Sequence, residues 1–224
     1  MKKSILLGLF TLKTLLSFAQ QKTIKFHNPS FEHAPFITET WDRKTIEIAK
    51  IVDDSLLDKM GWSGCGFENT SPPDVQPGKF GVKTKAAHGQ SYISMVTRDD
   101  KTWEGLSQKL SETLKKDSCY QFSINLMRAP KLVSATAKNR DKEQVFYAAC
   151  RLRVWGGRKL CQPKELLIET APIREDKWLK YRLQFSPYSD FDYIYFEAYY
   201  ATDFPENGNL MLDNLSAIEL ISCN

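Results

Sequence analysis

Between residues 120 and 126 the chain alternates strictly, with Tyr120, Phe122, Ile124 and Leu126 set against Gln121, Ser123 and Asn125. An apolar period of two belongs to a strand with one face in a core and the other in water. Leu152 and Val154 repeat the pattern against Arg151, Arg153 and Trp155. Further strands are expected at 91–96, 178–185, 193–200 and 210–220, separated by turn-forming clusters such as Ser186-Pro187-Tyr188-Ser189-Asp190 and Pro205-Glu206-Asn207-Gly208-Asn209. Short strands at this spacing, with few helical windows, point to an all-β sandwich or barrel. Two segments read as short helical or loop insertions: 45–60, where Ile48, Ile51, Val52, Leu56 and Leu57 fall at helical spacing, and 133–149. Residues 61–81 read as a long Gly/Pro/aromatic loop, and loops of that length in a compact domain are often functional.

The N-terminus reads Met1-Lys2-Lys3 followed by the apolar stretches 4–12 and 15–19, with Lys13 between them. A basic start, an apolar run and the small-x-small exit Ser17-Phe18-Ala19 are the marks of a secretory signal peptide, cut after Ala19 or Gln20. The competing reading, a short membrane anchor, is disfavoured because Lys13 interrupts a run already short of the roughly 20 residues a span needs. Removing residues 1–19 deletes Lys2, Lys3 and Lys13 and no acid, which leaves 28 Lys and Arg against 27 Asp and Glu. So balanced a chain, with no basic stripe, is not expected to bind nucleic acid or an anionic membrane. No later segment has the length of a membrane span, and at 224 residues with no repeat or linker the remainder, 20–224, reads as one domain.

Export permits disulfides among Cys65, Cys119, Cys150, Cys161 and Cys223. Five is odd, so at least one is free or pairs elsewhere. Cys150 and Cys161 flank a strand and a Gly156-Gly157 turn, and a bridge across that turn is one expectation. The absence of any CxxC argues against a zinc ribbon. Nor does the chain carry the marks of an enzyme. Gly61-Trp62-Ser63-Gly64-Cys65 lacks the final glycine of a nucleophile elbow, the P-loop and dinucleotide fingerprints are missing, and none of His27, His33 and His88 is placed beside a cysteine.

The first mature strand, read as Asn28-Pro29-Ser30-Phe31-Glu32, and the last, read as Leu212-Asp213-Asn214-Leu215-Ser216, resemble the opening and closing motifs of galactose-binding-domain-like jelly rolls, a superfamily rich in carbohydrate-binding modules. Between them, His88-Gly89-Gln90-Ser91-Tyr92-Ile93, Trp103-Glu104-Gly105-Leu106-Ser107-Gln108-Lys109-Leu110 and Cys119-Tyr120-Gln121-Phe122-Ser123 follow in the order of secreted and cell-surface bacterial versions. The resemblance implies a jelly-roll β-sandwich of two antiparallel sheets, with the first and last strands adjacent, and a binding function more often than a catalytic one. It also implies a structural calcium near the chain ends, with Glu32 and Asp213 as its side-chain ligands. The alternative is that these are solvated strand-end acids.

Sugar recognition by such a fold needs rings for the apolar faces of pyranoses and a few polar groups for hydroxyls. Along 193–200, Tyr193, Tyr195, Glu197 and Tyr199 point one way and Ile194, Phe196, Ala198 and Tyr200 the other. With the second set in the core, the first offers an outer face, to which Arg153 and Trp155, and Arg182 on the 178–185 strand, would add if the strands are neighbours. The opposing interpretation is ordinary sheet decoration. The loop aromatics Trp62, Phe67 and Phe80 compete as a rim site or as a cap on the core. The expected function is therefore an exported, non-catalytic carbohydrate-binding module of the cell envelope or exterior. The alternative is a structural or adhesion module that binds another envelope protein.

Overall fold

The computed structural model describes residues 23–32, 60–67 and 70–223; the expected signal peptide and all but the last residue of the 45–60 helix lie outside them. The strands are β1 (Thr23–Ile24), β2 (Ser63–Cys65), β3 (Asp74–Gln76), β4 (Tyr92–Thr97), β5 (Gly105–Leu114), β6 (Cys119–Arg128) and β7 (Leu132–Ala135). They continue with β8 (Glu143–Phe146), β9 (Cys150–Gly157), β10 (Pro163–Glu169), β11 (Leu179–Phe185), β12 (Phe191–Tyr200), β13 (Gly208–Asp213) and β14 (Ile218–Ile221). One sheet runs β1-β14-β6-β13-β4-β3, with β11 on the other edge of β6. The second runs β10-β9-β12-β5-β2, and β7 pairs with β8 as a separate hairpin. Every ladder between named strands is antiparallel, and the two large sheets pack face to face as a jelly-roll β-sandwich.

Period-two alternation builds the core. From β6 come Tyr120, Phe122, Ile124 and Leu126, and from β12 come Ile194, Phe196 and Ala198, all buried in one cluster with Phe26, Phe31 and Trp62. Burying side chains of this size contributes about 1.5–3 kcal/mol each. Strand β6 is long enough to hold β13 against its C-terminal half and β14 against its N-terminal half, from Leu210 opposite Arg128 to Ile221 opposite Cys119. The expected single strand over 210–220 is thus two, broken where Asn214 takes a left-handed φ of 53°. Ser216 bridges the break, its amide donating to the Ser123 carbonyl and its hydroxyl accepting from the Ser123 amide, both at 2.8 Å.

The segment 28–32 is a clasp rather than a strand. Asn28 donates from Nδ2 to the Glu32 carbonyl and accepts from the Glu32 amide, each at 2.9 Å, so one side chain closes the turn from both ends. Phe31 drops into the core, and the Leu215 amide donates to the Pro29 carbonyl, which brings the two end motifs together as expected.

Two other expectations are corrected. Residues 133–149 form no helix: Val133 lies opposite Val145 in the β7–β8 hairpin, and the polar run 136–142 is its turn. Cys150 does not bridge to Cys161. The disulfides are Cys65–Cys161 and Cys119–Cys223, and Cys150 is free and buried. Gly156 and Gly157 belong to β9 itself, where a side chain on Gly156 would meet the Phe191 ring, so the turn begins at Arg158. Cys150, at the other end of β9, is then eight positions, roughly 26 Å, from the start of that turn.

Candidate functional site

The outer face of the five-stranded sheet follows from register. Ser63, Gly105, Ser107, Tyr195, Glu197, Arg153 and Trp155 all project outward, opposite the inward Leu106, Phe196, Ile194 and Val154. One cross-strand row reads Ser63, Ser107, Tyr195, Trp155 and the next Cys65, Gly105, Glu197, Arg153. Continuing the phase by two residues gives a third row: Phe67, Trp103, Tyr199, Arg151. Its rings form a ladder, Phe67 against Trp103 at 4.8 Å and Trp103 against Tyr199 at 5.0 Å, both edge-to-face. Aromatic contacts of this geometry contribute about 0.5–1.5 kcal/mol beyond their buried area. The Arg153 guanidinium caps the ladder, 3.3 Å from the Tyr199 ring centroid.

Polar groups are woven through the rings. The Trp103 indole donates to Glu197 Oε2 at 3.0 Å, and Arg153 Nη1 stands 3.7 Å from Glu197 Oε1. Arg153 Nε donates to Glu169 at 2.5 Å, and Arg151 gives its guanidinium to the Thr170 and Ala201 carbonyls. Burial pushes the Glu197 carboxyl above the usual range, opposed by hydrogen bonding from Trp103 and by the Arg153 charge. Trp155 Nε1–H is buried beside the same carboxylate without a hydrogen bond of good geometry. Two Arg against two Glu leaves the cluster neutral, suited to an uncharged polar ligand.

Sequence reasoning named Tyr199, Glu197, Arg153, Trp155, Tyr193 and Tyr195 on this face, and the structure brings them onto one sheet. They are not equally open. Tyr195 is 7% and Glu197 5% exposed, and the Tyr195 hydroxyl reaches across the gap left by Gly105. Tyr193, Tyr199, Arg153 and Trp155 are half-buried. Two named residues are elsewhere. Arg182 lies on β11 in the other sheet, opposite Ser123. Trp62 is 0% exposed in the core and donates its indole N–H to the Asn28 carbonyl, so it is no rim residue. Phe67, 42% exposed, does join the face. Trp103 was missed as a site residue; its signal was the outward phase it shares with Gly105 and Ser107.

Glu32 and Asp213 converge on one segment. Glu32 accepts from the Gln90 and Ser91 amides, and Asp213 from the His88 and Asn214 amides and the Ser30 hydroxyl. Gly89 suits this position, with a left-handed φ of 69° and the Glu32 carboxylate lying where a Cβ would sit. N–H and O–H donors are the wrong partners for a cation that takes six to eight oxygens, and among the described residues no three His, Cys, Asp or Glu side chains group to hold a metal. This clasp does not fit calcium as arranged. Ser30 also contacts His88 Nδ1 at 2.9 Å, but the serine stands between histidine and aspartate, whereas a serine nucleophile needs the imidazole in the middle.

No protein-family model matches the chain, and no curated protein matches its sequence. Among the described residues no helix is long and apolar enough to cross a membrane. Solved structures of similar architecture include the CBM22-1 xylan-binding domain of a Paenibacillus barcinonensis protein, at 15% identity and TM-score 0.42, covering 74% of this chain and 88% of that one. The K3 adhesin domain of Lys-gingipain from Porphyromonas gingivalis aligns at 14% identity and TM-score 0.43, over 71% of this chain and 91% of that one. A family 16 carbohydrate-binding module aligns at 14% identity and TM-score 0.38, over 70% and 90%.

Proposed function

We propose that this protein is an exported, non-catalytic carbohydrate-binding module whose site is the Phe67–Trp103–Tyr199 ladder and the Arg153 guanidinium beside it. The observation that supports this is the ladder itself: partly open rings at 4.8–5.0 Å spacing, interleaved with a charge-balanced set of hydrogen-bonding groups. Rings hold the C–H faces of a sugar, and Arg153, fixed by Glu169 and Glu197, presents donors to its hydroxyls. The reaction chemistry of an enzyme has no role in this reading.

A glycan array probed with the disulfide-bonded chain tests it. Trp103→Ala and Tyr199→Ala should each weaken any hit about tenfold or more, since a tenfold loss corresponds to about 1.4 kcal/mol. Arg182→Ala, on the other sheet, should leave the hit unchanged. A blank array from folded protein would move the assignment to the adhesion reading. That reading has its own observation in Tyr147 and Phe204, both largely exposed near the Ala148–Gly208 bridge.

A further inference from the structure

The Cys65–Cys161 disulfide has a geometric consequence for this face. Cys161 lies in the β9–β10 turn, two residues before Pro163, and the Cα atoms of Cys65 and Cys161 are 5.5 Å apart. Two residues span at most about 7 Å, so β10 at Pro163 comes within about 13 Å of β2 at Cys65. Along the sheet the two strands are four spacings apart, about 19 Å before any offset along the strands. The chord is shorter than the sheet, so the sheet curls. Cys65 shares the outward phase of Ser63, opposite the core-facing Trp62, so the curl closes over the outer face. The turn 158–162 is a strap, and its disulfide-bonded Cys161 Sγ lies 3.6 Å from the Gly64 carbonyl oxygen.

The burial pattern agrees. Ser107, outward-facing in the row Ser63-Ser107-Tyr195-Trp155, is only 1% exposed, and its neighbour Tyr195 is nearly as covered. Two rows further along, Phe67, Trp103 and Tyr199 remain partly open. The concave face therefore has a covalent stop at one end and the aromatic ladder at the other.

We propose that the strap makes this a one-ended site, which takes the terminus of a saccharide chain and excludes a polymer running through. This rests on the carbohydrate reading above and names its ligand class: chain ends rather than internal segments. Cys65 and Cys161 are then specificity-determining residues that touch no sugar ring of a bound terminus.

Affinity electrophoresis in gels containing a soluble polysaccharide that the array identifies, intact or partially hydrolysed and at equal mass, tests this. Cutting chains about tenfold multiplies the ends about tenfold, and the apparent affinity per unit mass should rise in proportion. Retention that is the same in both gels would overturn the one-ended site while leaving carbohydrate binding standing. Absence of retention in every gel, with a blank array, would instead remove the carbohydrate reading. Cys65→Ser/Cys161→Ser should retain binding and lose its dependence on ends; a folded double variant that still needs ends would also overturn the role of the strap. Should that variant fail to fold, the end-dependence of the disulfide-bonded chain decides by itself, with Trp103→Ala confirming that the retention comes from this face.

Discussion

Asp213 offers a pH test of the end-to-end clasp. It is fully buried, and burial raises its carboxyl from 3.8 to about 6, against the opposing effect of hydrogen bonds from the His88, Asn214 and Ala87 amides and Ser30. Because the folded-state value is the higher one, the folded protein binds the proton more tightly than the unfolded chain. Stability from this group is therefore fully present below about pH 3.8 and is lost as pH rises through about 6. The difference of about 2 pKa units corresponds to about 3 kcal/mol. Urea denaturation of the wild type and of Asp213→Asn, across this range and with chelator present, isolates it as a difference profile. Other buried acids, Glu104 and Glu197, are raised too, but they occur in both proteins and cancel. His88, joined to Asp213 through Ser30, is removed as a contributor by repeating the pair in a His88→Gln background. The wild type should lose about 3 kcal/mol relative to Asp213→Asn between the two ends of the range. Parallel profiles would refute the argument, whatever the absolute cost of the substitution, because that cost does not depend on pH.

Three further outcomes follow from the same geometry. With Glu32 and Asp213 committed to amides, adding millimolar calcium to chelated protein should leave the melting temperature unchanged; a rise of several degrees would show that the clasp opens to take the cation. Removing the Cys65–Cys161 bridge, whose partners are 96 residues apart, should cost up to about 5 kcal/mol by the loop-entropy argument, read as a fall in the urea midpoint. Cys150, buried and with its thiol pushed up to about 12, should resist a thiol reagent in the native state and react only on unfolding; labelling at the native rate of an exposed thiol would contradict its placement.

Most of the sandwich was legible because a half-buried strand writes its register into the sequence. Tyr120 through Leu126 alternates, and so do Arg151 through Trp155 and Tyr193 through Tyr200; each became a strand with its apolar set inward. What failed to read were features decided by distant partners. Val133 and Val145 look like members of a helical segment until the turn between them pairs them across a hairpin. Trp62 stands in a glycine-rich stretch that reads as a loop, yet β2 pairs with β5 and aims the indole into the core, where Phe26 stacks on it and Phe31 packs at a tilt.

The site divides along the same line. Tyr199, Glu197 and Arg153 could be found on one face because they lie within strands whose phase is visible, whereas Phe67 and Trp103 lie just beyond the strand ends. Their phase continues outward, but only the register between β2, β5 and β12 places them in one row with Tyr199. Arg182 shows the converse error. It has the outward phase of its strand, but phase says nothing about which sheet a strand joins, and β11 pairs with β6. Alternation therefore identifies the face a residue points to, while the neighbours it meets depend on strand order. Strand order in turn rests on contacts across the whole chain, such as a disulfide between residues 65 and 161 that no local pattern announces. In this protein the composition of the outer face was readable, and its shape, a ladder at one end and a covalent strap at the other, required the fold.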